Sequence, residues 1–457
     1  MIKSKLKQIV LLFGDIALFY AALYLTLYLR YLSQPQNEVW EQNSAAFTWI
    51  FLIWLLVFYI GNLYDLKSFA HRGRFVESYL KTLVITLILS IIFFYLFPYK
   101  NISPKTNLLI FTGVYSALFL IWRFTFSYFL KNRLPKNNLG VIGYCAHLGE
   151  LIKEFRSNPH MGYDIKFVVL SEGETIDPAI KELVEIFDEN DGLEELSSKY
   201  KITNIILAKD VNNSPDLKRR LFNCLPLDIS YTTLPNFYEK ITGRVPLEII
   251  GQSWFLENLD LADKKIFEFV KRSFDLFLAI ILLILSLPFW SFILLAIRLS
   301  SKGPVFFTQY RMGKNNIPFK MYKFRTMKTE NNQGTLTVEN DQRITGVGKI
   351  MRKTRVDEIP QLINIIKGQM SFIGPRPERP EFIAELKENV PFFDIRTLVK
   401  PGISGWDQIS GEYHSASITD TIKKLQHDLF YIKNRSLFLD ITIILKTLKT
   451  IVAYKGR

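Results

Sequence analysis

Four apolar stretches of membrane-spanning length crowd the first 130 residues, at roughly Ile9–Tyr28, Ala46–Leu63, Leu83–Phe97 and Leu108–Leu130. Hydrocarbon offers the backbone no hydrogen-bond partner, so runs of this kind cross as helices. The third is the shortest. The connecting charges alternate. Lys3, Lys5 and Lys7 precede the first span, and residues 31–45 carry no Lys or Arg. The next connection holds Lys67, Arg72, Arg74 and Lys81, the third only Lys100 and Lys105, and Lys131, Arg133 and Lys136 follow the fourth. Positive loops stay inside, so both ends of this bundle are expected in the cytoplasm. The basic N-terminus runs into a long apolar segment without a small-residue cleavage site, which reads as an uncleaved first span. Arg123 lies inside the fourth span; a functional charge, a partner within the bundle and snorkelling all remain open.

A fifth apolar stretch, Leu276–Ile297, contains no charged residue. As a straight helix it would reach about 33 Å, enough to cross. Its flanks are both basic, however: Lys264, Lys265, Lys271 and Arg272 before, Arg298, Lys302, Arg311 and Lys314 after. Pro288, preceded by Ser286, sits near the middle, where it removes a helical N–H and kinks the helix. A kinked helix can leave by the face it entered. The expectation is a re-entrant segment over about residues 273–298, with an ordinary Pro-kinked span as the alternative.

The charge divides the chain in three. Residues 1–136 carry a net +9, residues 137–263 a net −9 and residues 264–457 a net +14. The basic flanks suit anionic lipid and phosphate; the acidic middle suits neither. Nucleic acid is excluded as a partner because the basic units are also the apolar ones. Two cysteines, Cys145 and Cys224, rule out a disulfide framework or a Cys-rich metal site.

The middle unit alternates strand and helix patterns. Leu139–Ile152 reads as strand, glycine turn and helix; Lys166–Leu170 and Asn204–Ala208 read as buried strands; Ile180–Phe187 and Leu193–Lys199 carry helical patterns. That order predicts a small parallel sheet of Rossmann type. Gly143 and Gly149 miss the G-x-G-x-x-G spacing, so a vestigial or regulatory domain is expected rather than a dinucleotide site. Tyr310 and Lys314 have dehydrogenase-like spacing but follow a β-like run, not a helix. Gly346-Val-Gly-Lys349 resembles a phosphate loop, but Arg343 stands where its first glycine belongs.

The dense polar motifs fall in the last 190 or so residues. Asp357 and Glu358 sit side by side in Arg352-Lys-Thr-Arg-Val-Asp-Glu-Ile-Pro-Gln361, and Gly374-Pro-Arg-Pro377 follows. Alone, the acids are compatible with a helix start. Carboxylates can also accept a phosphoryl group covalently, and one or two of them suffice to hold Mg²⁺ alongside substrate phosphates. Arg352 and Arg376 offer the planar donor fork that phosphate binding uses. Lys323 and Arg325 are expected to be further phosphate or headgroup contacts. Asp341 either helps to structure a metal site or closes a turn.

The series Lys271-Arg-Ser-Phe-Asp275, Gly303–Arg311, Tyr322–Met327, Asp341–Thr345, the Asp357–Glu358 segment, Met370–Pro377 and Lys400–Trp406 closely resembles the catalytic domain of bacterial sugar transferases. These are the monotopic phosphoglycosyl transferases, or polyprenyl-phosphate hexose-1-phosphate transferases; the Ser286-x-Pro288 helix fits the same pattern, and the four spans with a degenerate Rossmann-like domain resemble its long, exopolysaccharide-initiating members. The resemblance implies a membrane α-helical bundle over 1–136, a degenerate α/β Rossmann-like domain over 137–262 and an α-rich catalytic domain over 263–457. It implies a reaction in which a UDP-sugar donates sugar 1-phosphate to undecaprenyl phosphate, at the start of exopolysaccharide, capsule, lipopolysaccharide or O-antigen synthesis. Asp357 would be the nucleophile and Glu358 the Mg²⁺ ligand. The expected place is the cytoplasmic face of a bacterial inner membrane, among membrane lipids, and the large front half is able to support a homodimer. Two competing readings are a nucleotide-sugar epimerase or dehydratase, which lacks its dinucleotide loop here, and a non-catalytic scaffold for polysaccharide assembly. The helical stretches Ile422–Ile432 and Leu437–Val452 are expected either on the bilayer surface or in the core.

Overall fold

In the computed structural model of the chain, residues 2–61, 63–64, 72–97, 104–132, 137–171, 173–209, 214–259, 264–328, 341–410 and 417–452 are described. The loop cations Lys67, Lys100, Arg133 and Lys136 lie outside them. The chain divides into two compact units, Met1–Phe237 and Tyr238–Arg457.

The first unit begins with helices α1 (Ile2–Tyr31), α2 (Asn37–Ile60), α3 (Arg72–Leu96) and α4 (Pro104–Asn132). α1 packs on α4 and α2 on α3. Aromatic residues at helical spacing fill the centre: Phe47, Trp54 and Phe58 from α2, Phe111, Tyr115 and Phe119 from α4, and Phe19 from α1 are all buried. Phe19 stacks on Tyr115 with ring centroids 4.5 Å apart. The outside is aliphatic, with Leu52, Leu56, Ile88, Ile91, Leu109 and Ile121 exposed. An apolar exterior around an aromatic and polar interior suits a lipid solvent. Arg123 answers its open question within the bundle: its guanidinium meets Asp15 at 2.5 Å, with both side chains fully buried. Trp54 donates to Ser90, and Tyr79 to Ser116.

All four expected spans are helices long and apolar enough to cross a membrane. The third is longer than its apolar run predicts, Phe75–Leu96. Glu77, Ser78, Lys81 and Thr82 break the hydropathy signal but not the helix: Lys81 pairs with Glu77 one turn away, and Thr82 bonds back to the Ser78 carbonyl.

The rest of the first unit is built on β1 (Asn137–Ile142), α5 (Ala146–Ser157), β2 (Tyr163–Leu170), α6 (Pro178–Lys181), β3 (Glu185–Asp188), α7 (Leu193–Lys199), β4 (Asn204–Leu207), α8 (Pro215–Asn223) and β5 (Ser230–Thr233). The strands form one sheet in the order β3-β2-β1-β4-β5, every pair parallel. The helix expected over Ile180–Phe187 is corrected. Only Pro178–Lys181 is helical, and Ile186 and Phe187 pair with Val168 and Val169 as an added strand. The apolar spacing fits a helix locally; the open edge of β2 decides otherwise. α9 (Leu234–Thr242) crosses the boundary between the units.

The second unit continues with α10 (Gln252–Asn258), α11 (Lys265–Ser300), the antiparallel hairpin β6 (Phe306–Met312) and β7 (Pro318–Phe324), α12 (Gly346–Thr354), α13 (Gln361–Ile366), β8 (Ser371–Ile373), α14 (Pro380–Asn389), β9 (Gly402–Ser404), α15 (Ile418–Asn434) and α16 (Leu437–Val452). β8 and β9 pair in parallel. α11 is also long and apolar enough to cross a membrane, and its central face is open. Two small cores hold it on either side of Pro288. Ala279 joins Phe319, Met321, Leu362 and Ile365, whereas Ile297 joins Phe324 and Met351. Ser286, two residues before the proline, donates to the Leu283 carbonyl and accepts from Trp290 Nε1. A third core, with Val390, Phe393, Leu425, Leu429 and Ile443, ties α14 to α15 and α16.

Candidate active site

The acidic pair occupies one tight turn between two helices. Thr345 starts α12 by accepting from the Gly348 N–H at 2.9 Å. Gly348 is required by a close approach: a Cβ there would lie 2.1 Å from the Thr326 carbonyl oxygen. This contact brings α12 against the exit of β7 and lets Arg352 Nε donate to Thr326 Oγ1 at 2.9 Å. The two glycines of the false phosphate loop therefore begin a helix, and the second serves packing. α12 ends at Arg355, whose φ of 59° is left-handed. Such a backbone is uncommon for arginine. It reverses the chain into the 3-10 turn Val356–Glu358, and Pro360 then opens α13. Both acids are buried, Asp357 at 7% exposure and Glu358 at 6%.

Three cations from three segments converge on one oxygen of Glu358. Lys323 of β7 donates to Oε1 at 2.8 Å; Arg355 lies 3.6 Å away and Arg376, from the loop after β8, 3.8 Å away. Burial pushes the Glu358 carboxyl upward, but Lys323, Arg376 and Arg355 outweigh it and hold the group at about 2. Asp357 moves the other way. Burial raises it, the Glu358 charge adds to the rise, and Lys323, Arg355 and Arg352 offset only part. Its Oδ1 is buried with no hydrogen-bond partner. Neighbouring carboxylates are thus set apart by their surroundings, one firmly anionic and one with a raised proton affinity.

Beside this turn opens a cavity of about 410 Å³. Leu282, Leu285, Ser286 and Phe289 of α11 form one wall; Ile359, Leu362, Ile403 and Ile409 extend the apolar lining; Arg355 and Glu358 give it a charged end. Ser404, Gln408 and Thr447 supply its remaining polar groups. An apolar chamber with one charged end fits an amphiphile that carries an anionic head.

The structure thus brings Lys323, Arg352, Arg376, Asp357 and Glu358 together, with Ser286 on the wall of the cavity that Glu358 lines. It uses the other expected residues differently. Arg325 is buried and donates to the carbonyls of Ile297, Ser301 and Lys302, closing the C-terminal end of α11. Asp341 grips the Arg343 side chain at 2.5 Å and accepts from the Arg343 N–H, closing a turn. Its charge still reaches Arg352. Pro288 stays within α11. Tyr310 lies exposed on β6 and not on a helix. Arg355, Ser404, Gln408 and Thr447 went unread in the sequence. For Arg355 a signal existed: it stands three residues before Glu358 inside the same motif.

The family described as bacterial sugar transferase matches residues 266–454. The exopolysaccharide production protein PSS of Rhizobium leguminosarum bv. phaseoli is 40% identical over 188 residues, which cover 39% of this chain and 92% of that protein. The chain belongs to the bacterial sugar transferase family. Two other relatives extend further. The UDP-glucose:undecaprenyl-phosphate glucose-1-phosphate transferase of Escherichia coli (strain K12) is 32% identical over 68% of this chain and 67% of its own length. The UDP-N-acetylgalactosamine-undecaprenyl-phosphate N-acetylgalactosaminephosphotransferase of Aeromonas hydrophila is 39% identical over 54% of this chain, and the match spans 58% of that relative. All the site residues above lie within the stretch that matches the sugar transferase family.

Proposed function

We propose that this sugar transferase moves sugar 1-phosphate from a UDP-sugar to undecaprenyl phosphate, giving undecaprenyl-diphosphate sugar and UMP. The observation that carries the reading is the cavity joining the apolar flank of α11 to the buried Asp357–Glu358 turn. It offers one chamber for a lipid tail and, at its charged end, Arg355 for phosphate. The names of the Escherichia and Aeromonas relatives support the lipid-phosphate acceptor and the UDP-linked donor while differing in the sugar.

In this reading Asp357 is the nucleophile. A carboxylate oxygen attacks the sugar-bearing phosphorus of the donor. The bond from that phosphorus to the bridging oxygen breaks, and UMP departs with the electron pair. The product is a sugar phosphate joined to the Asp357 carboxyl as an acyl phosphate. An oxygen of undecaprenyl phosphate then attacks the same phosphorus, the acyl–phosphate bond breaks, and the Asp357 carboxylate returns. Arg352 and Arg376 hold donor phosphate and neutralise its charge. Glu358 remains anionic throughout.

The donor set fits Mg²⁺ of the substrate-shared kind. Among the described residues no group of three or more His, Cys, Asp or Glu forms a metal cluster. Mg²⁺ commonly takes one or two carboxylates and completes its shell with substrate phosphates and water. The three cations around Glu358 all meet Oε1, and Asp357 Oδ1 has no hydrogen-bond partner. Glu358 would hold the ion, which would supply charge neutralisation on the diphosphate.

Pro288 and the basic flanks of α11 support a re-entrant helix that keeps the catalytic residues on the cytoplasmic side of a bacterial inner membrane. The five-stranded order supports a Rossmann-like domain between residues 137 and 262, with the bundle over 1–136 before it and the catalytic domain over 263–457 after it. Gly143 turns the chain off β1 with φ 85°, and Gly149 packs beside Tyr144 and Ile180.

The test is turnover. The full chain in lipid nanodiscs with undecaprenyl phosphate and a panel of UDP-sugars is expected to release UMP with at least one donor and only in the presence of a divalent cation. Release of intact UDP, or no turnover with any donor, contradicts the proposal.

A further inference from the structure

The loop that presents Arg376 is fixed one peptide at a time. Four successive carbonyls, from Pro375 to Glu378, each accept a hydrogen bond from a different residue. Gly402 N–H donates to Pro375 at 3.0 Å, Arg396 Nη2 to Arg376 at 2.9 Å, Arg311 Nη1 to Pro377 at 3.1 Å and Met312 N–H to Glu378 at 2.9 Å. A Cβ on Gly374 would stand 2.3 Å from the Lys400 carbonyl oxygen, so the start of the loop is pressed against its neighbour strand. Arg376 itself is the exception: its side chain is 47% exposed and reaches toward Glu358.

Only one of these supports falls on the Arg376 peptide, and it is itself clamped. Arg396 is 7% exposed. Its Nη2 forms an ion pair with Asp428 of α15 at 2.9 Å, and Nη1 meets Glu378 at 3.5 Å. Asp428 is 2% exposed. A guanidinium is suited to such a junction because its planar fork faces two carboxyl groups and a carbonyl at once; an ammonium cannot match that geometry. Arg396 is far too buried and too fully engaged to meet a substrate. Its influence has to pass through the backbone it holds.

We infer that Arg396 is a positioning residue for Arg376: clamped between Asp428 and Glu378, it fixes the Arg376 carbonyl and so sets where the Arg376 guanidinium meets Glu358 and the donor phosphate. The inference rests on the phosphate-binding part given to Arg376 above. Misplacement of a charged group by about an ångström can cost up to two orders of magnitude in rate. The effect therefore belongs in turnover and not only in folding.

A double-mutant cycle on the full chain in nanodiscs, read as UMP release, tests it. Arg376→Ala alone reports on the underlying reading and should lower kcat/KM for the donor by about tenfold or more. Arg396→Lys keeps the charge beside Asp428 but loses the fork, and should lower kcat/KM by about tenfold. On the Arg376→Ala background, Arg396→Lys should cost less than about twofold, because nothing remains to be positioned. Fully multiplicative losses, or an Arg396→Lys enzyme of wild-type activity, overturn the inference while leaving Arg376 as a phosphate ligand. An Arg376→Ala enzyme of wild-type activity removes that ligand role and the inference with it. If Arg396→Lys does not fold, Asp428→Asn, which preserves side-chain shape and withdraws one clamp, enters the same cycle with the same expectations.

Discussion

Lys323 Nζ lies 2.8 Å from Glu358 Oε1, and both side chains are largely withdrawn from water, at 17% and 7% exposure. The pair turns Glu358 into a permanent anion at the floor of a cavity that would otherwise favour protonation. The neighbouring Asp357 has no such guardian.

Replacing Lys323 by Met leaves Glu358 buried without its nearest counter-charge. Removing one partner of a buried pair costs about 3 kcal/mol, so denaturant unfolding should show a loss of that order. The sign with pH follows from the depressed carboxyl. Stability from Glu358 is complete above its ordinary 4.5 and is lost as pH falls toward about 2. In Lys323→Met that contribution should be smaller, and its loss complete at a higher pH.

Asp357→Asn should separate stability from activity. The Asp357 carboxyl is raised above its ordinary 3.8 by burial and by Glu358. A raised acid contributes stability that is present below 3.8 and lost as pH rises through the folded value, so ionised Asp357 opposes folding at neutral pH. Thermal unfolding of Asp357→Asn should match or exceed wild type at pH 7, with the advantage fading in acid. UMP release should fall by about three orders of magnitude or more, the scale seen for removed nucleophiles. In the wild type, the acid limb of kcat/KM should follow one group titrating above the ordinary aspartate value of 3.8.

The Asp15–Arg123 pair should behave as a unit. Arg123→Leu strands a carboxylate inside the bundle and should destabilise it by about 3 kcal/mol. Asp15→Asn together with Arg123→Leu should recover most of that loss, measured by unfolding in detergent micelles.

Orientation is accessible to labelling. In a background with Cys145→Ser and Cys224→Ser, cysteines placed at the exposed Lys153 and Lys314 should react with an impermeant thiol reagent from the same face of inverted vesicles. Reaction from opposite faces means that α11 crosses.

Much of this was legible along the chain because its signals are local. Apolar length marked the spans, and the buried runs Phe167–Val169 and Ile205–Ile206 marked the parallel sheet. The acidic pair and its arginines were legible as a motif, since phosphate chemistry limits which side chains serve. What stayed hidden depends on contacts distant in sequence. Arg325 reads as a phosphate ligand until the end of α11 arrives to take its donors. Ile186 and Phe187 read as helix until β2 offers an edge. Arg396, 20 residues from the carbonyl it holds, carries no local signal at all.

The most direct test of the central claim is to look for the sugar phosphate on the protein. Wild-type chain is mixed with a productive UDP-sugar and Mg²⁺ in the absence of lipid acceptor, quenched, and examined by intact-protein and peptide mass spectrometry. A covalent role for Asp357 predicts a sugar-phosphate adduct on the peptide containing Asp357. The adduct should discharge when undecaprenyl phosphate is added and be missing from Asp357→Asn. UMP release by Asp357→Asn at near wild-type rate, with no adduct in either protein, would contradict it.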